Sequence, residues 1–149
     1  MRDTNLNTQY SEMSGIERLK LFAEDGKRGG MDKNLGYGFT HIEPGQVQLS
    51  YTPKEQHMNL IGSLHGGVLA ALLDAAMGCS VLTLLDNQER YTMIDLNTKF
   101  IKAIMDFEQQ LTVIGEVDHA GRRTFATSGR ILDSQGRLIA KSMANAIRI

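Results

Sequence analysis

The stretch NLIGSLHGGVLAALLDAAMG, Asn59 to Gly78, decides how this chain folds. The run continues past it, almost wholly apolar from Val68 to Leu85 and long enough for a helix of several turns. A helix that is apolar all round must be covered on every side. Yet the run opens on His65-Gly66-Gly67 and carries Asp74 in its middle. An interior glycine costs about 1 kcal/mol relative to alanine, and a buried carboxylate costs more unless it is paired or neutralised. Both features at fixed spacing on one helix point to a site. The run is also a poor membrane span, because Asp74, Ser80 and Thr83 lie within it. A central Asp alone adds about 2.5–3.5 kcal/mol to insertion.

Working outward, residues 1 to about 12 read as a loose polar tail. Ser14-Gly-Ile-Glu17 has the capping-box pattern, and Ile16, Leu19, Phe22 and Ala23 recur at helical spacing, so a short helix ends near Gly26. Gly29-Gly30 breaks the chain. YGFTHIEPGQVQLSYTP then reads as two strands around Pro44-Gly45. Beyond the long helix the texture changes to four strand-like runs. In RYTMIDLNTKFIKA, Met93, Asp95, Asn97 and Lys99 alternate with Ile94, Leu96, Thr98 and Phe100. QQLTVIGEVDHA, RRTFATSGRILD and RLIAKSMANAIRI follow, separated by turn signals at Ala120-Gly121 and Asp133–Gly136. A curved antiparallel sheet wrapped around one central helix satisfies this order, an α+β architecture. Two segments result, a tail with a short helix over 1–30 and the main domain over 31–149.

With 149 residues the chain fits one domain with a sizeable core. Sixteen Lys plus Arg balance seventeen Asp plus Glu, and no basic stripe stands out, so nucleic acid is not an expected partner. One cysteine, Cys79, excludes an internal disulfide and suits a reducing compartment. MRDTNLNTQYSEM lacks the apolar core of a secretory signal. A cytoplasmic protein without membrane association is expected.

The start of a helix presents unpaired N–H groups and partial positive charge, and glycine lets another group approach them closely. Gly66-Gly67 therefore suits a carbonyl oxygen that becomes negative during reaction; tight packing against the sheet is the other reading. Asp74 lies nine residues after His65, on the opposite face at about 3.6 residues per turn. The two cannot easily share a substrate within one chain, but they can if a second subunit's helix lies alongside. The other reading of Asp74 is a carboxylate tied to an Arg or to backbone amides. Asn59 either fixes its loop or orients the His65 ring. His41, His57 and His119 show no metal-ligand spacing with His65, and no metal is expected.

Taken together, Asn59-x5-His65-Gly66-Gly67-x6-Asp74 and Thr92-Met-Ile-Asp95-Leu-Asn97-x2-Phe100 resemble the hot-dog fold acyl-CoA thioesterases of the phenylacetate-degradation type. The match covers roughly residues 33–149. The resemblance implies hydrolysis of an acyl-CoA thioester to a carboxylic acid and free coenzyme A. No cofactor is implied beyond the coenzyme A of the substrate. It also implies a homo-oligomer, a dimer or dimer of dimers, with sites at the dimer interface. On this resemblance Gly66 N–H polarises the thioester carbonyl, His65 and Asn59 support the loop, and Gly67 contacts substrate. Asp74 from the facing subunit is general base or nucleophile, Thr92 helps place the water, and Arg122 and Arg123 meet the coenzyme A phosphates. The sequence departs from the family after Phe100, where Ile101-Lys102-Ala103-Ile104 lacks the usual proline and Lys102 stands in for the basic residue.

Two other readings compete. A hot-dog hydratase or dehydratase would set a His about five residues from the Asp on the helix, and the next histidine is His119. A non-catalytic acyl-CoA-binding module would keep the glycine-rich helix start without needing Asp74.

Overall fold

A computed structural model describes residues 5–25 and 27–149 of the protein. Residues 1–4 of the expected tail, and Gly26 at the expected helix end, lie outside the described residues. Of the rest of the tail, Leu6–Gln9 forms a helical turn, α1, whose N-cap Asn5 accepts from Asn7 N–H. The capping box operates as its spacing requires. Ser14 N–H donates to Glu17 Oε2 at 2.9 Å and Glu17 N–H to Ser14 Oγ at 3.4 Å, starting α2 at Gly15–Asp25.

Gly30 does more than break the chain. It opens a further short helix, α3 (Gly30–Leu35), which Gly36 closes in the left-handed conformation at φ 69°. Strands β1 (Gly38–Glu43) and β2 (Gln46–Tyr51) form the expected hairpin, with Gly45 at φ 78° in its turn. After a 3-10 turn at Glu55–His57 the long helix α4 runs from Gly66 to Leu82.

The run RYTMIDLNTKFIKA is not one strand. It divides into β3 (Tyr91–Met93) and β4 (Asn97–Phe100), both paired with the last strand. The break has a local cause. Asp95 turns its carboxylate into the ladder, accepting from Asn145 N–H at 2.6 Å and from its side-chain amide at 2.8 Å. Strands β5 (Leu111–Ala120), β6 (Thr124–Leu132) and β7 (Leu138–Arg148) follow as consecutive hairpins. The sheet is antiparallel and seven-stranded, in the order β1-β2-β5-β6-β7-β3, with β4 continuing the β3 edge along β7. β4 ends at Phe100, where Ile101 and Lys102 N–H both converge on Ile139 O.

Two glycines seat the helix in the sheet. Gly115 on β5 pairs with Gly129 on β6. A Cβ on Gly115 would lie 2.3 Å from the Ala76 carbonyl, and one on Gly129 3.0 Å from a Leu73 methyl. The helix backbone thus rests directly on the strands, and Leu72, Leu73, Met77 and Val81 fill the core with Val47, Leu49, Phe125 and Ile131. The helix is not covered all round, as its composition suggested. Gly67 and Asp74 are exposed on one side, with Ala70, Ala71 and Ala75 half-buried beside them. Small residues there keep the open face low. Among the described residues no helix is long and apolar enough to cross a membrane.

Candidate active site

The loop entering α4 is tied by Asn59. Its side-chain oxygen accepts from Ile61 and Ser63 N–H, both at 3.0 Å, and its amide donates to Ser63 Oγ at 2.8 Å. Of the two roles open to Asn59, the structure gives it the loop and not the His65 ring. The loop hangs on a second support, His65 N–H donating to His57 O at 2.9 Å. His57 is buried, its Nε2 donating to Asn34 Oδ1 and its Nδ1 accepting from Tyr51 OH at 2.7 Å. Burial, with Lys54 nearby, lowers the His57 pKa and keeps the ring neutral.

At the helix start the first four N–H groups are nearly all spoken for. His65 is the N-cap, its Nδ1 accepting from Gly67 N–H at 2.8 Å. Its carbonyl takes Val68 N–H at 2.9 Å and Leu69 N–H at 3.4 Å. Gly66 N–H is left with no hydrogen-bond partner among the described residues. It is therefore the donor best suited to an incoming oxyanion, while that of Gly67 is already engaged. The glycines also have steric reasons. A Cβ on Gly66 would meet the Phe100 ring at 3.1 Å, and one on Gly67 the His65 ring at 2.9 Å.

Asp74 is exposed and makes no hydrogen bond or ion pair among the described residues. The reading in which it is tied to an Arg or to amides therefore falls. Desolvation by the apolar helix around it still raises its carboxyl pKa. Asp74 is eight residues beyond Gly66, about 12 Å along the helix axis. One chain thus cannot bring both to a single carbonyl carbon.

Thr92 and Tyr91 face opposite ways on β3. Along β3 the side chains of Tyr91 and Met93 pack toward the core, and exposed Thr92 lies on the other face. The Thr92 hydroxyl makes only a long bond to Met93 O at 3.4 Å, so a single chain does not bring it to Asp74. Tyr91 is the residue that sequence reasoning missed. Its hydroxyl sits over Gly78, 2.8 Å from where a Cβ would be, one turn beyond Asp74 on the same side of α4. It has no hydrogen-bond partner among the described residues. Its pKa is raised by burial first and by Cys79 and Asp74 after that. The sequence marks only Gly78, four residues after the carboxylate; that Tyr91 faces it is seen in the fold alone.

Arg122 and Arg123 are exposed on the β5–β6 turn, their carbonyls bonded to Arg148. Register places this turn at the Tyr91 end of β7 and Phe100 at Ala140. The arginines are thus on the order of 25 Å along the strand from their own chain's Phe100–Gly66 corner. No group of His, Cys, Asp and Glu fit to hold a metal exists among the described residues.

Residues 61–140 match the family model of the thioesterase superfamily. A protein of Thermoplasma acidophilum described as a candidate esterase is 28% identical over 87% of this chain and 92% of its own length. The E. coli PaaI protein from the phenylacetic acid degradation operon superposes with a TM-score of 0.76 at 21% identity, over 85% of this chain and 88% of that one. A hypothetical thioesterase of Streptococcus pneumoniae, solved with coenzyme A, gives 0.70 at 25% identity, over 76% and 85% of the two chains. The sheet wrapped around one helix is the fold of these neighbours.

Proposed function

Since this chain belongs to the thioesterase superfamily and is a thioester hydrolase, we propose that it hydrolyses acyl-CoA at a site shared by two subunits. The observation that carries this reading is the uncommitted Gly66 N–H at the head of α4. A thioester carbonyl oxygen placed there gains a donor backed by the helix dipole, and the interaction strengthens as the oxygen becomes negative. The carboxylate comes from the partner's Asp74. As general base it takes a proton from water, whose oxygen adds to the carbonyl carbon; the tetrahedral species then expels coenzyme A thiolate, which is protonated to the thiol. As nucleophile it would instead form a mixed anhydride that water opens. Either route yields one carboxylic acid and one coenzyme A.

Two further observations favour the shared site. Phe100 lies against Gly66 at the helix start, and it and its chain neighbour Ile101 are exposed, as are Leu60 and Ile61 in the loop entering α4, an apolar surface of the kind that marks an interface. β4 is also a sheet edge with open ladder positions for a second copy. A homo-oligomer, a dimer or a dimer of dimers, covers both. The coenzyme A bound in the pneumococcal neighbour supports the choice of leaving group. Arg122 and Arg123 are retained as the pair that meets coenzyme A phosphates, contributed by the subunit opposite the Gly66 in use.

The test is thiol release from a panel of acyl-CoA thioesters. Turnover of at least one member by the wild type, lost in D74N, is expected. Release of thiol from none of them would contradict the reading.

A further inference from the structure

Between α2, α3 and the C-terminal half of α4 lies a cavity of about 270 Å³, outside the corner where Gly66 sits. Its α4 wall is Cys79 and Leu82, beginning five residues past Asp74, and Tyr91 forms the wall from β3. The opposite wall is built by Leu6, Leu19 and Phe22 from α1 and α2. These helices precede the stretch 61–140 that matches the family.

The wall is held in place. Arg18 is fully buried, donating to Asn7 Oδ1 at 2.8 Å and to Asp86 O at 3.1 Å, which fastens α1 to the loop between α4 and β3. The polar groups of the cavity are mostly committed. Asp32 accepts from Tyr37 OH at 2.7 Å, and the Asn7 oxygen is taken by Arg18. The Tyr91 hydroxyl is the exception, standing without a partner about one helical turn, roughly 5 Å, beyond Asp74.

We propose that this cavity is the acyl subsite of the chain that supplies Asp74, and that Leu6 and Phe22 in the N-terminal helices set the size of the acyl group. This rests on the reading of Asp74 as the group that attacks or activates water. With the carbonyl carbon at Asp74, the acyl tail runs toward Cys79 and the cavity, past the Tyr91 hydroxyl, while the thiol leaves toward the open side. The volume falls just below the roughly 300–1,000 Å³ of pockets for drug-sized ligands. It suits a short chain or a single ring and excludes a long fatty chain. The charged side chain lining the cavity is the Asp32 carboxylate, which would repel an anionic acyl tail, so the acyl group carries no carboxylate of its own.

The experiment measures kcat/KM across acetyl-, butyryl-, hexanoyl-, octanoyl-, palmitoyl- and phenylacetyl-CoA. It compares the wild type with L6A, L6W and, as a helix-surface control, K20A; Lys20 is exposed on α2 and lines no part of the cavity. The wild type should favour compact acyl groups over palmitoyl. L6W should lower the preference for the longer groups relative to acetyl by about tenfold or more, a methylene-scale contact being worth about 10–200-fold. L6A should move the optimum to longer groups, and K20A should leave the profile unchanged. A palmitoyl optimum, or the same profile in wild type, L6A and L6W, overturns the assignment. If the wild type hydrolyses none of the series, the thioesterase reading fails separately. The subsite is then read from the Kd of non-hydrolysable thioether analogues of the same series, with the same shifts expected and the same uniformity contradicting it.

Discussion

Asp74 is a carboxylate without a partner on a helix face that its own sheet leaves open, and its replacement separates catalysis from folding. D74N and D74A should lower turnover by about 10²–10⁴-fold, the usual contribution of a general base, with substrate binding largely kept. The sign of the stability change follows from the pKa. A carboxyl whose folded pKa is raised favours the protonated form, so the folded state loses stability as pH rises through the window above the ordinary value of about 4. D74N removes that loss, and its Tm at neutral pH should equal or exceed that of the wild type. The same shift moves the acid limb of kcat/KM above the ordinary carboxylate range, with activity rising as pH rises, because the base must be ionised. A lower Tm in D74N, or an acid limb at the ordinary carboxylate pKa, would contradict this. H65A should cost about 0.5–2 kcal/mol through loss of the cap on Gly67, measured by denaturant unfolding. Asp74 and Gly66 were legible in the sequence because each violates the pattern around it. Tyr91 was not, since an aromatic residue in a strand looks ordinary; only the tertiary fold shows its hydroxyl unpartnered above Gly78.

At the scale of elements, the seat of α4 on β5 and β6 carries the largest expected effects. In G115A the new methyl would meet backbone of Ala76 and Met77, which cannot rotate away. A destabilisation of about 3 kcal/mol or more is expected, the upper end for overpacking, seen as a lower urea midpoint. A loss well below about 1 kcal/mol would mean that the helix can lift off the strands. The 3-10 turn that carries the His65 loop predicts a pH effect of its own. His57 has a lowered folded pKa, so its contribution is complete above the unfolded value of about 6.5 and is lost as pH falls from there toward the folded pKa. The Tm of the wild type should therefore fall over that window more steeply than that of H57F. The long helix, the hairpins at Pro44-Gly45 and Asp133–Gly136 and the capping box at Ser14 were all legible, because local chemistry dictates them. The division of β3 from β4 was not. Residues 93–100 alternate without interruption, and the break arises where Asp95 captures Asn145 on β7, fifty residues away.

For the whole molecule, the open face of α4, the apolar residues around Gly66 and the free β4 edge together describe a chain finished by a second copy. Order and composition carried the fold to this point, since an all-apolar helix needs a sheet around it. The uncovered face was not legible from composition, because alanine serves a core and an interface equally. Light scattering should report a dimer or a dimer of dimers at working concentration, and a fully active monomer would remove the shared site. The most direct measurement is complementation. Chains carrying D74A are mixed with chains carrying G66P, which lack the Gly66 N–H, after each parent has shown native-like melting and oligomer size. Each parent alone should be nearly inactive. In a mixed dimer one interface site joins an intact Gly66 to the partner's intact Asp74, and the other site lacks both. Activity should return on mixing, to about half of wild type per mixed dimer. Mixed dimers that demonstrably form and regain no activity would place Gly66 and Asp74 in the site of one chain and contradict the account.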